Sequence, residues 1–197
     1  MSFWDKIAGV YDIIQRFDGR AYRAMTEGVR QVVPKGAHVL DCAAGTGALT
    51  IAAAEKAESV VCTDISFSML EQARKKCIKA GLSNVRFEER DIFSLSDKDG
   101  TYDAVMAGNV LHLLDDPKAA VKELCRVTKK GGRVILPIFL AKDSLVIKGP
   151  CLTVYKRLGI KPYSGSEYRA LLDGFGYKYK LTILKGIVPI GFSVIKP

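Results

Sequence analysis

The stretch VLDCAAGTG, residues 39–47, decides the fold expected of this chain. Its first residues are apolar, as in a buried strand, and they lead directly into a run of small residues and glycines. We predict a strand over 38–45 that ends in the glycine turn, and a helix over the alanine-rich segment 46–57. A strand, a glycine turn and a helix in this order begin a βαβ unit.

The same alternation of short apolar runs and helical segments continues to residue 140. Further strands are predicted over 59–64, 84–91, 102–107 and 133–139, and further helices from the N-cap Ser66 through Lys79 and over 116–127. Alternating strands and helices are typical of a parallel sheet covered on both faces. The sequence therefore predicts a doubly wound α/β fold, a Rossmann-like sheet of seven strands, made of these five and of the two in the C-terminal hairpin described next.

The two ends of the chain follow other patterns. Residues 1–36 predict a helical cap, and 141–197 predict helices near 143–158 and 166–172 followed by two segments of period two. Those last segments, 177–186 and 191–196, predict an antiparallel hairpin at one edge of the sheet. We predict one domain, in which 37–140 is the cofactor-binding core and 141–197 holds a substrate insertion and the hairpin.

Composition restricts the class of protein. The chain has 197 residues, 48% hydrophobic and 26% charged, which suits one globular domain. The longest apolar run, 134–141, is too short to cross a bilayer and contains Pro137. The first twelve residues carry three charges, unlike a secretory signal, so we expect a cytoplasmic protein.

The five cysteines are odd in number and form no C-x-x-C pair. They predict reduced, mostly buried thiols, and we expect no metal, although a zinc site built from dispersed cysteines with His38 and His112 is an alternative.

The net charge of +9 is concentrated in the C-terminal quarter, where residues 141–197 hold ten basic and three acidic side chains. Such a patch attracts RNA, an anionic membrane surface or an acidic substrate, and it is equally typical of a solvated surface.

Three aspartates stand at the ends of successive predicted strands: Asp41, Asp64 and Asp91. Ligands of an open parallel sheet bind beyond the carboxyl ends of its strands. At such a strand end Asp64, 19 residues after Gly45, can accept both ribose hydroxyls. Asp91, at the end of the next strand, can reach an adenine amino group. Together they predict a nucleoside pocket.

The cofactor follows from the charge at the glycine turn. Asp41 heads that turn and would repel the pyrophosphate of a dinucleotide, whereas it suits the positive charges of S-adenosylmethionine. An NAD-dependent oxidoreductase remains a rival interpretation, as does a non-catalytic or RNA-associated nucleoside-binding protein.

Five motifs resemble those of the class I S-adenosylmethionine-dependent methyltransferases. They are VLDCAAGTG (39–47), VVCTDIS (60–66), ERDIF (89–93), YDAVMAGNVLHLL (102–114) and LCRVTKKGGRVIL (124–136). The N-terminal WDKIAGVYD (4–12) is similar to the start of ubiquinone and menaquinone biosynthesis methyltransferases. The resemblance implies methyl transfer from S-adenosylmethionine to a small molecule.

The same resemblance implies the contacts of the cofactor. Its implied binding residues are Tyr11, Asp41, Ala43, Gly45 and Gly47 around the methionine, Asp64 on the ribose, Ile65, Met69, Asp91 and Ile92 around the adenine, and Asn109 beside the amino acid end. Alanine at position 43 departs from the motif of the family, which usually has glycine there.

Motifs that the sequence lacks limit the range of expected methyl acceptors. The fourth strand is followed by GNVL, without the Asn/Asp-Pro-Pro-aromatic run that grips a flipped base, so DNA is not an expected substrate. The quinone methyltransferases resemble one another in an arginine and an asparagine after the fourth strand. This chain has VLHLL at that place, with neither residue. In-line displacement needs positioning above all, and His112 is the candidate base near the site.

Overall fold

The computed structural model describes residues 19–144 and 161–197. The strands are β1 (His38–Cys42), β2 (Ser59–Asp64), β3 (Val85–Glu89), β4 (Tyr102–Met106), β5 (Thr128–Phe139), β6 (Lys178–Leu184) and β7 (Ile190–Lys196). The helices are α1 (Gly19–Val32), α2 (Ala48–Ala54), α3 (Phe67–Lys79), α4 (Pro117–Val127) and α5 (Gly165–Gly174), with short 3-10 turns at Leu111–Leu113 and Ala141–Asp143.

The strands form one seven-stranded sheet in the order β3-β2-β1-β4-β5-β7-β6. The first five are parallel to one another, and β7 runs antiparallel between β5 and β6. This confirms the predicted doubly wound α/β sheet and its C-terminal hairpin at one edge. The strand order reverses between β1 and β4, which is where such sheets open a crevice for ligands.

Helices cover both faces of the sheet. On one face α1 and α2 pack against β1, β4, β5 and β7, and α1 approaches β7 so closely that a Cβ on Gly28 would lie 2.8 Å from the Phe192 ring. On the other face α4 and α5 enclose a second apolar cluster, which includes Leu124 and the fully buried Tyr168. The Tyr168 hydroxyl donates to the carbonyl of Leu136, which ties α5 to the centre of β5.

Local sequence signals account for several boundaries. Ser66 caps α3 by accepting the backbone N–H of Met69, and Asp116 caps α4 before Pro117. The strand β2 begins and ends where the sequence predicts. The strand β5 begins at Thr128, five residues before the predicted start at residue 133. The glycines of KKGG lie inside this strand, where a Cβ on Gly132 would stand 2.9 Å from the carbonyl oxygen of Asp103 on β4.

The cap and the insertion are only partly described. Helix α1 belongs to the predicted cap, whereas the predicted helix near 143–158 and the aromatic residues before position 19 lie outside the described residues. Among the helices that the structure describes, none is long and apolar enough to span a membrane.

Candidate functional site

A cavity of about 230 Å³ opens at the carboxyl ends of the parallel strands. Its lining residues are Ala43, Gly45, Asp64, Ile65, Met69, Arg90, Asp91, Ile92, Phe93, Gly108, Asn109, Val110, Leu113 and Leu114. Eight of these are residues that the sequence assigns to cofactor binding. A narrower recess beside it is lined by Tyr22, Met25, Asp41, Ala43, Ala44, Gly45, Ala48, Leu49, Gly108 and Asn109.

Asp64 ends β2 and connects two loops at the cavity. One carboxylate oxygen accepts the backbone N–H of Gly45 at 2.8 Å, and the other accepts that of Ser66 at 2.9 Å. The residue is 7% exposed, so the carboxylate is held in one orientation at the cavity wall. An ionised carboxylate is an acceptor only, so a ligand hydroxyl is the kind of group that it can hold.

Asp41, at the end of β1, is fully buried. Its Oδ2 accepts the hydroxyl of Thr50 on α2 at 2.6 Å, while its Oδ1 has no hydrogen-bond partner among the residues that the structure describes. Burial raises the pKa of this carboxyl to about 7. The hydrogen bond from Thr50 lowers the pKa in part, and the nearby charge of Asp64 raises it. An unsatisfied buried acceptor beside a recess is a place for a donor or a cation.

The backbone between Asp41 and α2 is tightly turned. Ala43 and Gly45 both have positive φ, 50° and 54°. Glycine adopts this conformation freely, whereas a side chain at position 43 costs about 1–2 kcal/mol there. The turn brings the backbone close to the cavity, as the small residues of the motif predict.

The loop after β3 also lines the cavity. Asp91 is exposed and accepts the N–H of Phe93 at 2.9 Å, which closes the turn, while Ile92 is 8% exposed. Arg90 holds this loop through ion pairs with Glu88 and Asp97. Ile65, just before α3, and Met69, in the first turn of α3, line the same cavity.

Asn109 follows β4 in the left-handed conformation, with φ of 56°. Its N–H donates to the carbonyl of Pro137 at 2.7 Å, and its side-chain oxygen accepts the N–H of Phe139 at 3.2 Å. Asparagine tolerates this backbone conformation better than most residues. Both bonds fix the end of β4 against β5, and the residue lines the cavity from there.

The other two predicted residues within the described ranges lie away from the cavity lining. Gly47 packs against α3, since a Cβ there would be 2.8 Å from that of Ala73. His112 lies in the 3-10 turn, buried, with Nδ1 lacking a hydrogen-bond partner within 19–144 and 161–197. Burial lowers the pKa of its imidazole to about 4, so the ring is neutral at pH 7. Tyr11 lies outside the described residues.

The sequence does not predict several residues that line or support the site. Thr50 stands nine residues from the carboxylate that it contacts, and nothing in its local pattern indicates this contact. Leu113 and Leu114 follow β4 in an apolar run that is typical of core, yet they form part of the cavity wall. Within the described residues, no group of three His, Cys, Asp or Glu side chains could hold a metal ion, and Cys42, Cys62, Cys77 and Cys125 are buried free thiols.

Comparisons with known proteins identify the family. A family model described as "Methyltransferase domain" matches residues 39–132. A demethylmenaquinone methyltransferase from Renibacterium salmoninarum is 31% identical over 182 residues, covering 90% of this chain and 73% of that protein. A phosphatidylethanolamine N-methyltransferase from Cereibacter sphaeroides is 34% identical over 125 residues, covering 63% of this chain and 59% of that protein. The chain thus spans less than two thirds of that second relative.

A solved structure gives the same answer for the fold. The structure of an S-adenosylmethionine-dependent methyltransferase from Thermotoga maritima matches with a TM-score of 0.72 at 20% identity, covering 98% of each chain. Sequence relatives and shared fold agree with the cavity at the switch point of the sheet. This chain belongs to the class I S-adenosylmethionine-dependent methyltransferases.

Proposed function

We propose that the chain transfers a methyl group from S-adenosylmethionine to a small-molecule acceptor. The observation that carries this proposal is the fully buried carboxylate of Asp41. Its Oδ1 has no hydrogen-bond partner in the described part of the chain. Asp41 lines a recess that shares several lining residues with the main cavity. A dinucleotide enzyme needs space for an anionic pyrophosphate at this turn, so the carboxylate argues against the NAD alternative.

The residues present fit the cationic end of the cofactor. Asp41, Ala43 and Gly45 line the narrow recess, where we propose that the methionine part lies. The unsatisfied oxygen of Asp41 would be offset there by the positive charges of the ligand. Gly47 contributes to this turn through its backbone and its contact with α3. Tyr11 remains a proposed contact of the methionine carboxylate.

The nucleoside fits the wider cavity. We assign the ribose hydroxyls to Asp64, whose carboxylate is oriented by two backbone N–H groups. The adenine would lie between Ile65 and Met69 on one side and the loop of Asp91 and Ile92 on the other. Asn109 supports the amino acid end, with its side-chain oxygen already engaged by β5.

When bound, the cofactor supplies an electrophilic methyl group on a positively charged sulfur. The chain itself must orient the acceptor in line with that methyl group and exclude water, which lowers the barrier through positioning. His112 is the proposed base for an acceptor that loses a proton. Its imidazole is neutral at pH 7, but burial lowers its pKa to about 4, so this role needs the ring to meet the acceptor in a setting that raises the pKa again.

The division of labour along the chain is part of the proposal. Residues 37–140 hold the cofactor, while 1–36 and 141–197 enclose the acceptor as one domain. The strand ends of the core are occupied by cofactor contacts, so acceptor choice falls to the outer segments. We also propose a cytoplasmic location, where buried cysteines without disulfide partners are usual, and fractionation of cells would test it.

Isothermal titration calorimetry tests the cofactor assignment. We expect S-adenosylmethionine and S-adenosylhomocysteine to bind and NAD not to bind. Asp64→Ala should weaken binding by about 2 kcal/mol, or roughly 30-fold, because ribose hydroxyls lose a buried acceptor. Glu58→Ala, which removes an exposed carboxylate just before β2 at the opposite end of that strand from Asp64, serves as the matched control and should leave affinity unchanged.

Unchanged affinity in Asp64→Ala would refute the proposed orientation of the cofactor, and preferential binding of NAD would refute the function. A panel of metabolites with methyl-labelled cofactor would then identify the acceptor. If removal of residues 1–22 from a chain that still binds cofactor leaves turnover intact, the cap has no part in acceptor binding.

A further inference from the structure

The carboxylate of Asp41 is oriented by a side chain from another element. Pairing with Cys62 on β2 and Met106 on β4 fixes the backbone of Asp41. This pairing does not fix the plane of the carboxylate, because the last side-chain torsion of an aspartate is broad and roughly two-fold. The hydroxyl of Thr50 on α2 sets that plane, since it donates to Oδ2 at 2.6 Å. The second oxygen, Oδ1, has no partner within the described residues, and Asp41 lines the narrow recess.

The hydroxyl of Thr50 has a direction that its helix does not require. A threonine hydroxyl inside a helix commonly bonds to a backbone carbonyl three or four residues earlier. Thr50 is fully buried in α2, and its hydroxyl donates instead across to β1. The oxygen–oxygen distance of 2.6 Å is typical of a hydrogen bond to an ionised carboxylate. The bond therefore favours the charged form of Asp41, whereas burial favours the neutral form.

We propose that Thr50 is a positioning residue for cofactor binding, which holds the Asp41 carboxylate so that its second oxygen meets the positively charged end of S-adenosylmethionine. Thr50 does not line the cavity or the recess of the described chain, so it acts through Asp41 rather than by touching the ligand. This role rests on the proposed cofactor, and it adds a residue behind the binding surface that sets the affinity for that cofactor and its dependence on pH.

The pH dependence follows from the charge that the recess must offer. Burial raises the pKa of Asp41 to about 7, and a cation is attracted only by the ionised form. At lower pH the protein releases this proton to solvent when the cofactor binds, so binding should strengthen as the pH rises through about 7. Without the hydroxyl of Thr50 the pKa of Asp41 should be higher still, because that hydrogen bond lowers it.

Other ionisable groups near Asp41 do not account for this dependence. Asp64 at the end of β2 raises the pKa of Asp41 through its charge, and it is the same in all the variants below. The remaining ionisable side chains are the Tyr22 phenol of α1, which lines the recess, and the buried thiols Cys42, Cys62 and Cys77. Burial raises the pKa of each of these thiols, so they stay neutral where Asp41 titrates.

Isothermal titration calorimetry with S-adenosylmethionine from about pH 6 to about pH 8.5 tests this role. Thr50→Val replaces the hydroxyl by a methyl group of similar size. It should move the midpoint of the pH dependence upward by about 1–2 pH units and weaken binding by about 5- to 50-fold at about pH 7. The ratio of the two dissociation constants should decrease toward higher pH, and ionisation of the ligand itself cancels in that ratio. Thr50→Ser keeps the hydroxyl and should keep the midpoint of the wild type.

Thr63 on β2 supplies the matched control. Its buried hydroxyl donates to the backbone carbonyl of Asp41 at 3.2 Å, and not to the carboxylate. Thr63→Val therefore removes a buried hydrogen bond to the same residue and should lower the stability without changing the pH profile of binding.

Counting protons gives a second measurement. Calorimetry in buffers of high and low ionisation enthalpy reports the protons released on binding. At about pH 7.5 Thr50→Val should release about half a proton or more beyond the wild type, because more of its Asp41 is still protonated before binding. Thr63→Val should release the same number as the wild type.

One pH profile shared by the wild type, Thr50→Val and Thr63→Val would assign Thr50 to packing alone and overturn the proposal. So would a folded Thr50→Ser whose midpoint moves as far as that of Thr50→Val, or wild-type binding that does not change with pH. If Thr50→Val does not fold, Thr50→Ala removes the same hydroxyl with the best helix former, and its midpoint must move in the same direction. Failure of the wild type to bind S-adenosylmethionine would refute the proposed function as well, whereas binding with an unchanged profile in Thr50→Val refutes the role of Thr50 alone.

Discussion

Replacing the buried carboxylate Asp41 by asparagine should stabilise the protein without ligand while weakening its hold on the cofactor. Burial raises the pKa of Asp41 from 3.8 to about 7. The unfolded chain therefore loses this proton near pH 4, and the folded chain keeps it until near neutral pH. Between those values the folded state binds more protons, so the free energy of unfolding decreases as the pH rises.

The size of the effect follows from the pKa difference. A difference of about 3 pKa units corresponds to roughly 4 kcal/mol, all of it lost once the pH exceeds about 7. In Asp41→Asn the new side chain carries no charge and can still accept the Thr50 hydroxyl, but its amide N–H₂ would lack a partner, at a cost of about 1–3 kcal/mol. At about pH 8 we expect Asp41→Asn to be more stable than the wild type by about 1–3 kcal/mol.

Urea denaturation over a range from about pH 5 to about pH 8 measures this difference. The wild type should lose stability across the range relative to Asp41→Asn, and Thr50→Val should lose more, because it removes the hydrogen bond that favours the ionised carboxylate. Asp116→Asn, at the exposed N-cap of α4, is the control, since asparagine caps a helix as well as aspartate. Parallel pH profiles for the wild type and Asp41→Asn, or a less stable variant at high pH, would refute the reasoning. Calorimetry on the same variant should show weaker binding of S-adenosylmethionine.

Three further substitutions test the walls of the site. Ala43→Gly should raise the free energy of unfolding by about 0.5–1 kcal/mol, because glycine relieves the positive φ at a smaller entropic cost; a loss in urea denaturation would contradict this. Arg126→Gln removes hydrogen bonds to the carbonyl of Leu95 and to the loop that follows β3. Thermal unfolding should therefore show a decrease of about 1 kcal/mol in the free energy of unfolding, and cofactor affinity should fall several-fold. Unchanged affinity would mean that the loop keeps its conformation without Arg126. His112→Gln should lower kcat with no change in the cofactor Kd if the imidazole is the base, whereas lower stability at unchanged kcat would assign His112 to packing alone.

The parts of the fold that the sequence predicts are those with local causes. Ser66 and Asp116 begin helices because their side chains can accept backbone N–H groups three residues later, which is visible in the sequence. The start of β5 is different. KKGG has the composition of a turn, but pairing with β4 extends the strand to Thr128, where the register shifts between Tyr102 and Ala104. That pairing is a long-range contact, and tertiary packing overrides the local preference.

The candidate site divides in the same way. The position of its aspartates was predictable because the carboxyl ends of parallel strands meet at one edge, and the structure has Asp64 and Asp91 at the cavity and Asp41 at the recess beside it. Thr50 was not, because its hydroxyl reaches Asp41 only once α2 has packed on β1. His112 is an example of the opposite kind. Because His112 follows β4 closely in the sequence, we expect it near the site, but the 3-10 turn buries its ring, and its neighbour Leu113 lines the cavity instead.

The two carboxylates of the site, Asp64 and Asp41, have different energetic roles. The hydrogen bonds of Asp64 satisfy the backbone of Gly45 and Ser66, so this carboxylate contributes to folding before any ligand arrives. Asp41 does the opposite, since its ionised form is costly in the folded chain and is relieved only by a positive partner. A site that couples a satisfied carboxylate to an unsatisfied one favours the ligand that brings hydroxyls to the first and positive charge to the second. S-adenosylmethionine has both groups, and its demethylated product keeps the hydroxyls and the ammonium but loses the sulfonium charge. The product should therefore relieve Asp41 less than the substrate does, and this difference should shrink in Asp41→Asn.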